Sequence, residues 1–296
     1  SWRVVYIEES DHLSLYLDNI KIRHKDNDIT IPLSDIHTII VDNYKTVLTV
    51  NLINKCMEYN INLLLCGIDH MPVSIVQPIK GNNQSAKMLF TQINWNENMK
   101  KNLHMKIIKG KILNQRQVLE KYNKSQEVIK KLNQYISEVE PGDVTNREGL
   151  ASKIYFRELF GKDFIRFEDD VINAGLNYGY TIIRTQIAKV LLSRGLNPAL
   201  GIFHRGPENT FNLADDIIEV FRPIVDSYVY KNLIGCEALT REHRVNLIKL
   251  TTKKMFYNNE HQTFFNVLNL YVNNILDILN NGVNTLIIPE YKNYDI

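Results

Sequence analysis

The stretch Lys80-Gly81-Asn82-Asn83-Gln84-Ser85-Ala86-Lys87-Met88-Leu89-Phe90-Thr91-Gln92-Ile93-Asn94-Trp95 separates two regions with different hydrophobic periods. Gly81 and the polar residues around it break the pattern, and turn-forming, polar residues of this kind mark connections rather than elements. Before the break, apolar residues recur at every second position; after it they recur about every 3.6 positions. The reading is an α+β fold. It comprises a small β-rich domain over residues 1–80, a linker over 81–95, and a larger all-helical domain over 96–296.

Working back from the break, Pro72 to Val76 and Ile61 to Leu65 read as strands that pair across a Gly67–His70 turn. Thr49 to Tyr59 has helical spacing, with Leu52, Ile53, Cys56 and Met57 on one side. Ile36 to Val41 and Ile29 to Ile31 are further apolar runs. Leu13, Leu15 and Leu17 alternate with Ser14 and Tyr16, and Asp18-Asn19 turns the chain into Ile20 and Ile22. Trp2 to Glu8 is rich in β-formers. The expectation is a small sheet with one helix packed on it.

Working forward, Met99, Leu103, Ile107, Ile108 and Leu113 mark a long helix that runs toward Leu132 with a break near Tyr122. Pro141-Gly142-Asp143 is a turn. Helices are expected at about Thr145–Phe160, Asp169–Ser193, Asn212–Leu233, Arg241–Met255 and His261–Leu279. Pro223 predicts a kink, or a second helix beginning there. The tail from Asn280 is polar apart from Leu286–Ile288.

The 296 residues are 44% hydrophobic and 23% charged, which is a globular rather than a disordered balance. No apolar run approaches the roughly 18 residues needed to span a bilayer. Ser1 to Tyr6 lacks a basic stretch followed by an apolar one, so a cytoplasmic protein without a membrane partner is expected. Cys56, Cys66 and Cys236 contain no CxxC pair, and reduced thiols are expected. From Glu97 to Tyr135 there are ten Lys or Arg against three acids, a net charge of +7. That leaves −5 for the rest of a chain whose total is +2. Such a stretch is either a track for a polyanion or the wet face of a helix.

The sequence contains no GxxxxGK[ST], GxGxxG, HExxH or GxSxG, which sets aside nucleotide-driven motors, dinucleotide enzymes, zincins and α/β-hydrolases. An acid–histidine–acid set remains. Glu148 follows Thr145 at the spacing of a capping box, which gives it a purely structural reading beside a functional one. His204 lies in Gly201-Ile202-Phe203-His204-Arg205-Gly206-Pro207, a loop. Glu219 follows Asp215 and Asp216, with Asn212 as a helix cap; two carboxylates stacked on one face cost stability unless a cation sits between them, a divalent ion or Arg222, or else they form an exposed acidic turn. One imidazole and two carboxylates can ligate Mg²⁺ or Mn²⁺ with positions left open.

Four blocks occur in order: Asn-Arg-Glu-Gly (146–149), Leu-Asn-Tyr-Gly-Tyr (176–180), Gly-Leu-Asn-Pro-Ala-Leu-Gly-Ile-Phe-His (195–204) and Leu-Ala-Asp-Asp-Ile-Ile-Glu-Val-Phe-Arg-Pro-Ile-Val-Asp (213–226). With Ile31-Pro32-Leu33-Ser34-Asp35-Ile36 they make the chain resemble the CRISPR-associated spacer-acquisition integrases, the Cas-one family, and most of all its type II branch. The resemblance implies a dimerising N-terminal β domain and a helical catalytic domain. It implies Glu148, His204 and Glu219 as metal ligands for Mg²⁺ or Mn²⁺, with Asp216 as an additional acid in some relatives. It implies a DNA endonuclease that becomes an integrase in a heterohexamer with the small Cas-two protein. In that complex a protospacer 3′-hydroxyl attacks repeat-end phosphodiesters. Double-stranded DNA, a second copy of the chain and other type II adaptation proteins are the implied partners.

In this light Lys106 and Lys109 belong to a DNA track. Tyr155, on the Glu148 helix face, is a strand contact or else a core tyrosine. Arg184 is a phosphate contact or the partner of an acid, and Arg205 is a clamp for the scissile phosphate. The alternatives are a catalytically inactive DNA-binding scaffold and an unrelated metallohydrolase acting on small molecules.

Overall fold

The computed structural model describes residues 1–9, 11–25, 27–79 and 81–295. It divides into two compact units, Ser1–Asn83 and Gln84–Ile296. Lys80, the last residue of the expected β-rich domain, and Ile296 lie outside the described residues.

The first unit contains β1 (Arg3–Ile7), β2 (His12–Tyr16), β3 (Asn19–His24), β4 (Asn27–Pro32), β5 (Ile36–Val41), β6 (Val47–Leu48), α1 (Val50–Glu58), β7 (Asn62–Cys66) and β8 (Pro72–Val76). These form two four-stranded sheets rather than the single small sheet expected. One has the order β1-β5-β7-β8, with β1, β5 and β7 parallel and β8 antiparallel to β7. The other has the order β4-β3-β2-β6 and is largely antiparallel. Every residue of β5 is buried, as a strand covered on both faces should be. By contrast Leu13, Ile20 and Ile22 point inward from a sheet whose alternate residues are wetter. The β2–β3 turn places Leu17 and Asp18 at φ 45° and 56°, the paired left-handed conformation that matches hairpin twist. Thr49 caps α1 by accepting from Leu52 N–H, and Leu52 and Cys56 bury that helix against the shared core.

The second unit contains α2 (Ser85–Ile93), α3 (Glu97–Lys121), α4 (Gln126–Glu138), α5 (Arg147–Phe160), α6 (Val171–Ser193), α7 (Asn212–Ile218), α8 (Arg222–Leu233) and α9 (Arg241–Lys249), then β9 (Lys254–Tyr257), β10 (Glu260–Thr263) and α10 (Phe264–Asn281). Two expectations are corrected. Residues 85–93, read as linker, form α2, whose buried Gln92 donates to the carbonyls of Asn197 and Leu200 and accepts from Asn197 N–H. The region beyond Trp95 is not all-helical: β9 and β10 pair antiparallel where two helices had been expected to meet. Their turn is Asn258-Asn259, at φ 51° and 68°, and asparagine tolerates that region better than most residues.

Helix α3 runs through the middle of this unit. Buried residues surround it, from Leu103 and Ile107 to the polar Lys111, Asn114, Gln115 and Gln117. Asn114 donates to the carbonyls of Val220 and Pro289 and accepts from Tyr291 N–H. Gln117 accepts from Lys292 N–H and donates to Glu290. The tail that looked merely polar is thus fastened along α3 by that helix's buried amides. Among the described residues no helix is long and apolar enough to cross a membrane.

Candidate active site

The turn before α5 frees Glu148. Asp143, itself buried, accepts from the backbone N–H groups of Arg147 (2.8 Å) and Glu148 (2.9 Å). Asn146, in the left-handed conformation, caps the helix by accepting from Gly149 N–H. The donors of this helix end are therefore served by Asp143 and Asn146. The capping box expected from Thr145 and Glu148 does not form, and the Glu148 carboxylate is available elsewhere.

Glu219 is placed by the break between α7 and α8. Pro223 has no N–H to offer the carbonyl four residues earlier, which belongs to Glu219, so the ladder stops there and restarts at Arg222. The Glu219 side chain turns inward and is 5% exposed.

Both carboxylates meet on one ammonium. Lys111 Nζ lies 2.6 Å from Glu148 Oε1 and 2.5 Å from Glu219 Oε2. Arg222 Nε donates to Glu219 Oε1 at 3.1 Å. The second Glu219 oxygen, Oε2, is buried and faces the Lys111 ammonium. Burial opposes the charge on Glu219, but Arg222 and Lys111 outweigh it and hold the carboxyl well below its ordinary range. Burial likewise opposes the charge on Lys111, and Glu219 and Glu148 hold its ammonium above the ordinary lysine value.

His204 is set by a separate carboxylate. Buried Asp216 accepts from the backbone N–H groups of Ile202 (2.5 Å), Phe203 (3.1 Å) and His204 (3.0 Å), and contacts His204 Nδ1 at 2.7 Å. Engaging Nδ1 leaves Nε2 as the nitrogen for a ligand, the arrangement in which a carboxylate orients a ligating imidazole. The Asp216 hydrogen bond raises the imidazole pKa against an opposing effect of burial. Asp216, expected as an additional acid at the metal, is instead committed to this loop. Asn212, expected as a cap, also ties the loop: its amide donates to the carbonyls of Ala199, Gly206 and Asn209. A Cβ at Gly201 would stand 2.2 Å from the His204 carbonyl oxygen, so only glycine fits.

The DNA-contact candidates fare differently. Tyr155 is fully buried and donates to Asp226 at 3.0 Å, so the core reading replaces the strand-contact reading. Arg184 pairs with Asp215 at 3.7 Å and lies over Phe211. Arg205 is 65% exposed and pairs with Glu97 at 2.8 Å. Lys106 donates to the Asn284 carbonyl, and Lys109 is half-buried. The basic stretch is consequently not one wet face, since Lys111 is buried and Lys124 reaches the Leu159 carbonyl and the face of Tyr230.

Sequence reasoning missed Lys111, Asp143 and His104. Lys111 was hidden among ten basic residues, and Asp143 was read only as a turn residue. His104 is buried, stacks on Phe203 with ring centroids 3.8 Å apart, and has no hydrogen-bond partner at either nitrogen. No periodic signal distinguishes it from its apolar neighbours.

Among the described residues no three His, Cys, Asp or Glu side chains converge as a metal site. Glu148 and Glu219 converge on an ammonium instead, and His204 stands on its own carboxylate. Two carboxylates sharing one cation nevertheless form a donor pair suited to a hard divalent ion.

The family model described as CRISPR associated protein Cas1 matches residues 5–256. The chain belongs to the Cas1 family. It is 38% identical over 226 residues to the CRISPR-associated endonuclease Cas1 of Neisseria meningitidis serogroup C (strain 8013), an alignment covering 76% of this chain and 74% of that one. It is 26% identical over 285 residues to CRISPR-associated endonuclease Cas1 1 of Francisella tularensis subsp. novicida (strain U112), covering 86% and 88%. Its fold matches a casposase bound to integration product with a TM-score of 0.76 at 20% identity, over 99% of this chain and 94% of that one. A CAS1 protein from Thermotoga maritima matches with a TM-score of 0.71 at 16% identity, over 94% and 97%. A chain of a Cas6-RT-Cas1–Cas2 complex matches with a TM-score of 0.72 at 18% identity, over 98% of this chain and 36% of that one.

Proposed function

We propose that this Cas1 protein is a divalent-metal-dependent DNA endonuclease and the integrase of CRISPR adaptation. In this reading it joins a protospacer 3′-hydroxyl to repeat-end phosphodiesters of the array. The observation that carries the proposal is the convergence of Glu148 and Glu219 on one buried cationic point, with His204 oriented by Asp216. Glu148, Glu219 and His204 would hold Mg²⁺ or Mn²⁺. When bound there, such an ion would polarise a phosphoryl oxygen and lower the pKa of the attacking hydroxyl.

The chain's own residues do the positioning. Asp143 keeps Glu148 out of the helix cap, Pro223 turns Glu219 inward, and Asp216 with Asn212 fixes the His204 loop. Arg222 keeps Glu219 ionised. Arg205 is exposed beside His204 and can leave Glu97 for a phosphate, as a planar guanidinium suits that geometry. Arg184 is a second candidate phosphate contact, held near the His204 loop by Asp215.

The partners in this reading are double-stranded DNA and a second copy joined through the N-terminal unit. The small Cas2 protein completes a heterohexamer, and other type II adaptation proteins assist. The similar folds of a casposase bound to integration product and of a chain in a Cas6-RT-Cas1–Cas2 complex support this choice.

The test is strand transfer of a short 3′-hydroxyl duplex into a supercoiled repeat plasmid, with and without the Cas2 partner. Product that requires Mg²⁺ or Mn²⁺ and is lost in Glu148→Ala and His204→Ala is expected. A DNA-binding scaffold would bind the duplex and give no product under any condition.

A further inference from the structure

Lys111 is the buried cation of the site, and its place in the reaction is assigned by neither the sequence motifs nor the family resemblance. Its side chain is 10% exposed and comes from the middle of α3, a helix that contributes no other charged group to this cluster. The ammonium lies 2.6 Å from one carboxylate and 2.5 Å from the other. Without it, Glu148 and Glu219 would face each other with only Arg222 to offset them, and Arg222 reaches only the far oxygen of Glu219. Two carboxylates so placed, one of them buried and the other 22% exposed, repel one another. Among the described residues, Lys111 Nζ marks a point shared by both carboxylates. The ammonium and a divalent ion therefore compete for it. The contact geometry fits that role: Lys111 hydrogen-bonds Glu148 and lies 2.5 Å from Glu219 Oε2, so one ammonium serves both carboxylates.

We infer that Lys111 is a positioning residue that stands in for the metal, holding Glu148 and Glu219 together in the ion-free protein and leaving the pair when the divalent ion enters. This rests on the metal reading proposed above. It makes Lys111 a regulator of ion affinity: the site folds without an ion, and ion binding has to overcome a preformed buried ion pair. The protein thereby retains an assembled carboxylate pair at low ion concentration, at the expense of weaker ion binding.

The experiment is Mn²⁺ binding, by titration calorimetry and by loss of the free-ion electron-spin-resonance signal. It is paired with thermal unfolding in chelator and in excess Mn²⁺. The proteins are wild type, Lys111→Met, Glu148→Gln and Glu219→Gln. Lys111→Met is expected to unfold at a lower temperature than wild type in chelator and to recover in Mn²⁺. It is expected to bind Mn²⁺ about tenfold more tightly, because the competing ammonium is gone and binding adds directly to stability. Lys111→Met that is unfolded in chelator but folds on addition of Mn²⁺ supports the same conclusion. A folded Lys111→Met that binds Mn²⁺ no more tightly than wild type overturns the proposal while leaving the metal reading intact. So does a Lys111→Met that folds neither in Mn²⁺ nor when Glu219→Gln removes the excess charge, since Lys111 would then be an obligate part of the core. Wild-type Mn²⁺ binding that survives both Glu148→Gln and Glu219→Gln removes the metal reading, and this inference with it.

Discussion

At the scale of single residues, the site depends on carboxylates with distinct duties. Asp216 accepts from three backbone N–H groups and orients His204, so its removal leaves one buried and two part-buried backbone donors unpaired. Asp216→Ala should cost about 2–4 kcal/mol in chemical denaturation. It should also reduce strand transfer through His204, whereas a change confined to stability would separate the loop from catalysis. Asp226 has a different duty. It is fully buried and accepts from Tyr155 and Tyr180, and burial pushes its carboxyl up to about 6 despite those hydrogen bonds. An acid whose pKa is raised on folding binds its proton more tightly in the native state. Its contribution is therefore favourable below the unfolded value, near 3.8, and is lost as pH rises toward 6. Asp226→Asn should remove that slope, worth about 3 kcal/mol across the window, in urea titrations at pH 4 and 6.5. An unchanged slope would place the effect on other groups. Much of this site was legible as residues but not as contacts. Glu148, His204 and Glu219 could be singled out by type and order, yet on local evidence alone the capping-box reading of Glu148 was the stronger one. It failed because Asp143 and Asn146, rather than Thr145, satisfy the helix end. Tyr155 shows the converse, since helical spacing from Glu148 could not distinguish a strand contact from a side chain buried on Asp226.

At the scale of elements, the close crossing of α6 and α8 gives a test in which two effects oppose. An alanine in mid-helix is intrinsically favoured over glycine by about 1 kcal/mol. At Gly179, however, a Cβ would lie 2.4 Å from Val225 Cγ1, on a β-branched side chain with little freedom to retreat. Overpacking wins, and Gly179→Ala should destabilise the protein by about 1–3 kcal/mol net. A more stable variant would show that α8 can shift outward. The long helices were readable because period and length agree over many residues. The break at Tyr122 and the restart near Pro223 were readable because polar and proline signals coincide there. The β9–β10 hairpin was not, since Lys-Met-Phe-Tyr and Glu-His-Gln-Thr are each too short for a period, and the Asn258-Asn259 turn was the only local cue. Helix α2 was lost to a linker reading because Gly81 and its polar neighbours outweighed the apolar Met88, Leu89 and Ile93. The tail was misjudged for a related reason: backbone groups pairing with Asn114 and Gln117 leave no trace in side-chain polarity.

At the scale of the whole molecule, the change of period near residue 80 and the two compact units, Ser1–Asn83 and Gln84–Ile296, describe one division of the chain. Net charge is a weaker guide at this scale. The +7 of residues 97–135 is distributed between the buried Lys111, lysines whose ammonium reaches a carbonyl or a ring face, and exposed ones, so the number alone overstates any track. If Lys106 and Lys109 neutralise phosphates, reversing both charges should weaken duplex binding. It should also reduce the slope of log affinity against log salt by about two. A slope equal to that of the wild type would remove this helix from the DNA surface.

The account as a whole turns on whether Glu148, Glu219 and His204 form one divalent centre. The most direct measurement is anomalous diffraction at the manganese edge from crystals grown with Mn²⁺. The account predicts a single strong peak ligated by both carboxylates and His204 Nε2, with Lys111 withdrawn from between Glu148 and Glu219. A peak elsewhere, or none with Lys111 still bridging the pair, would contradict it.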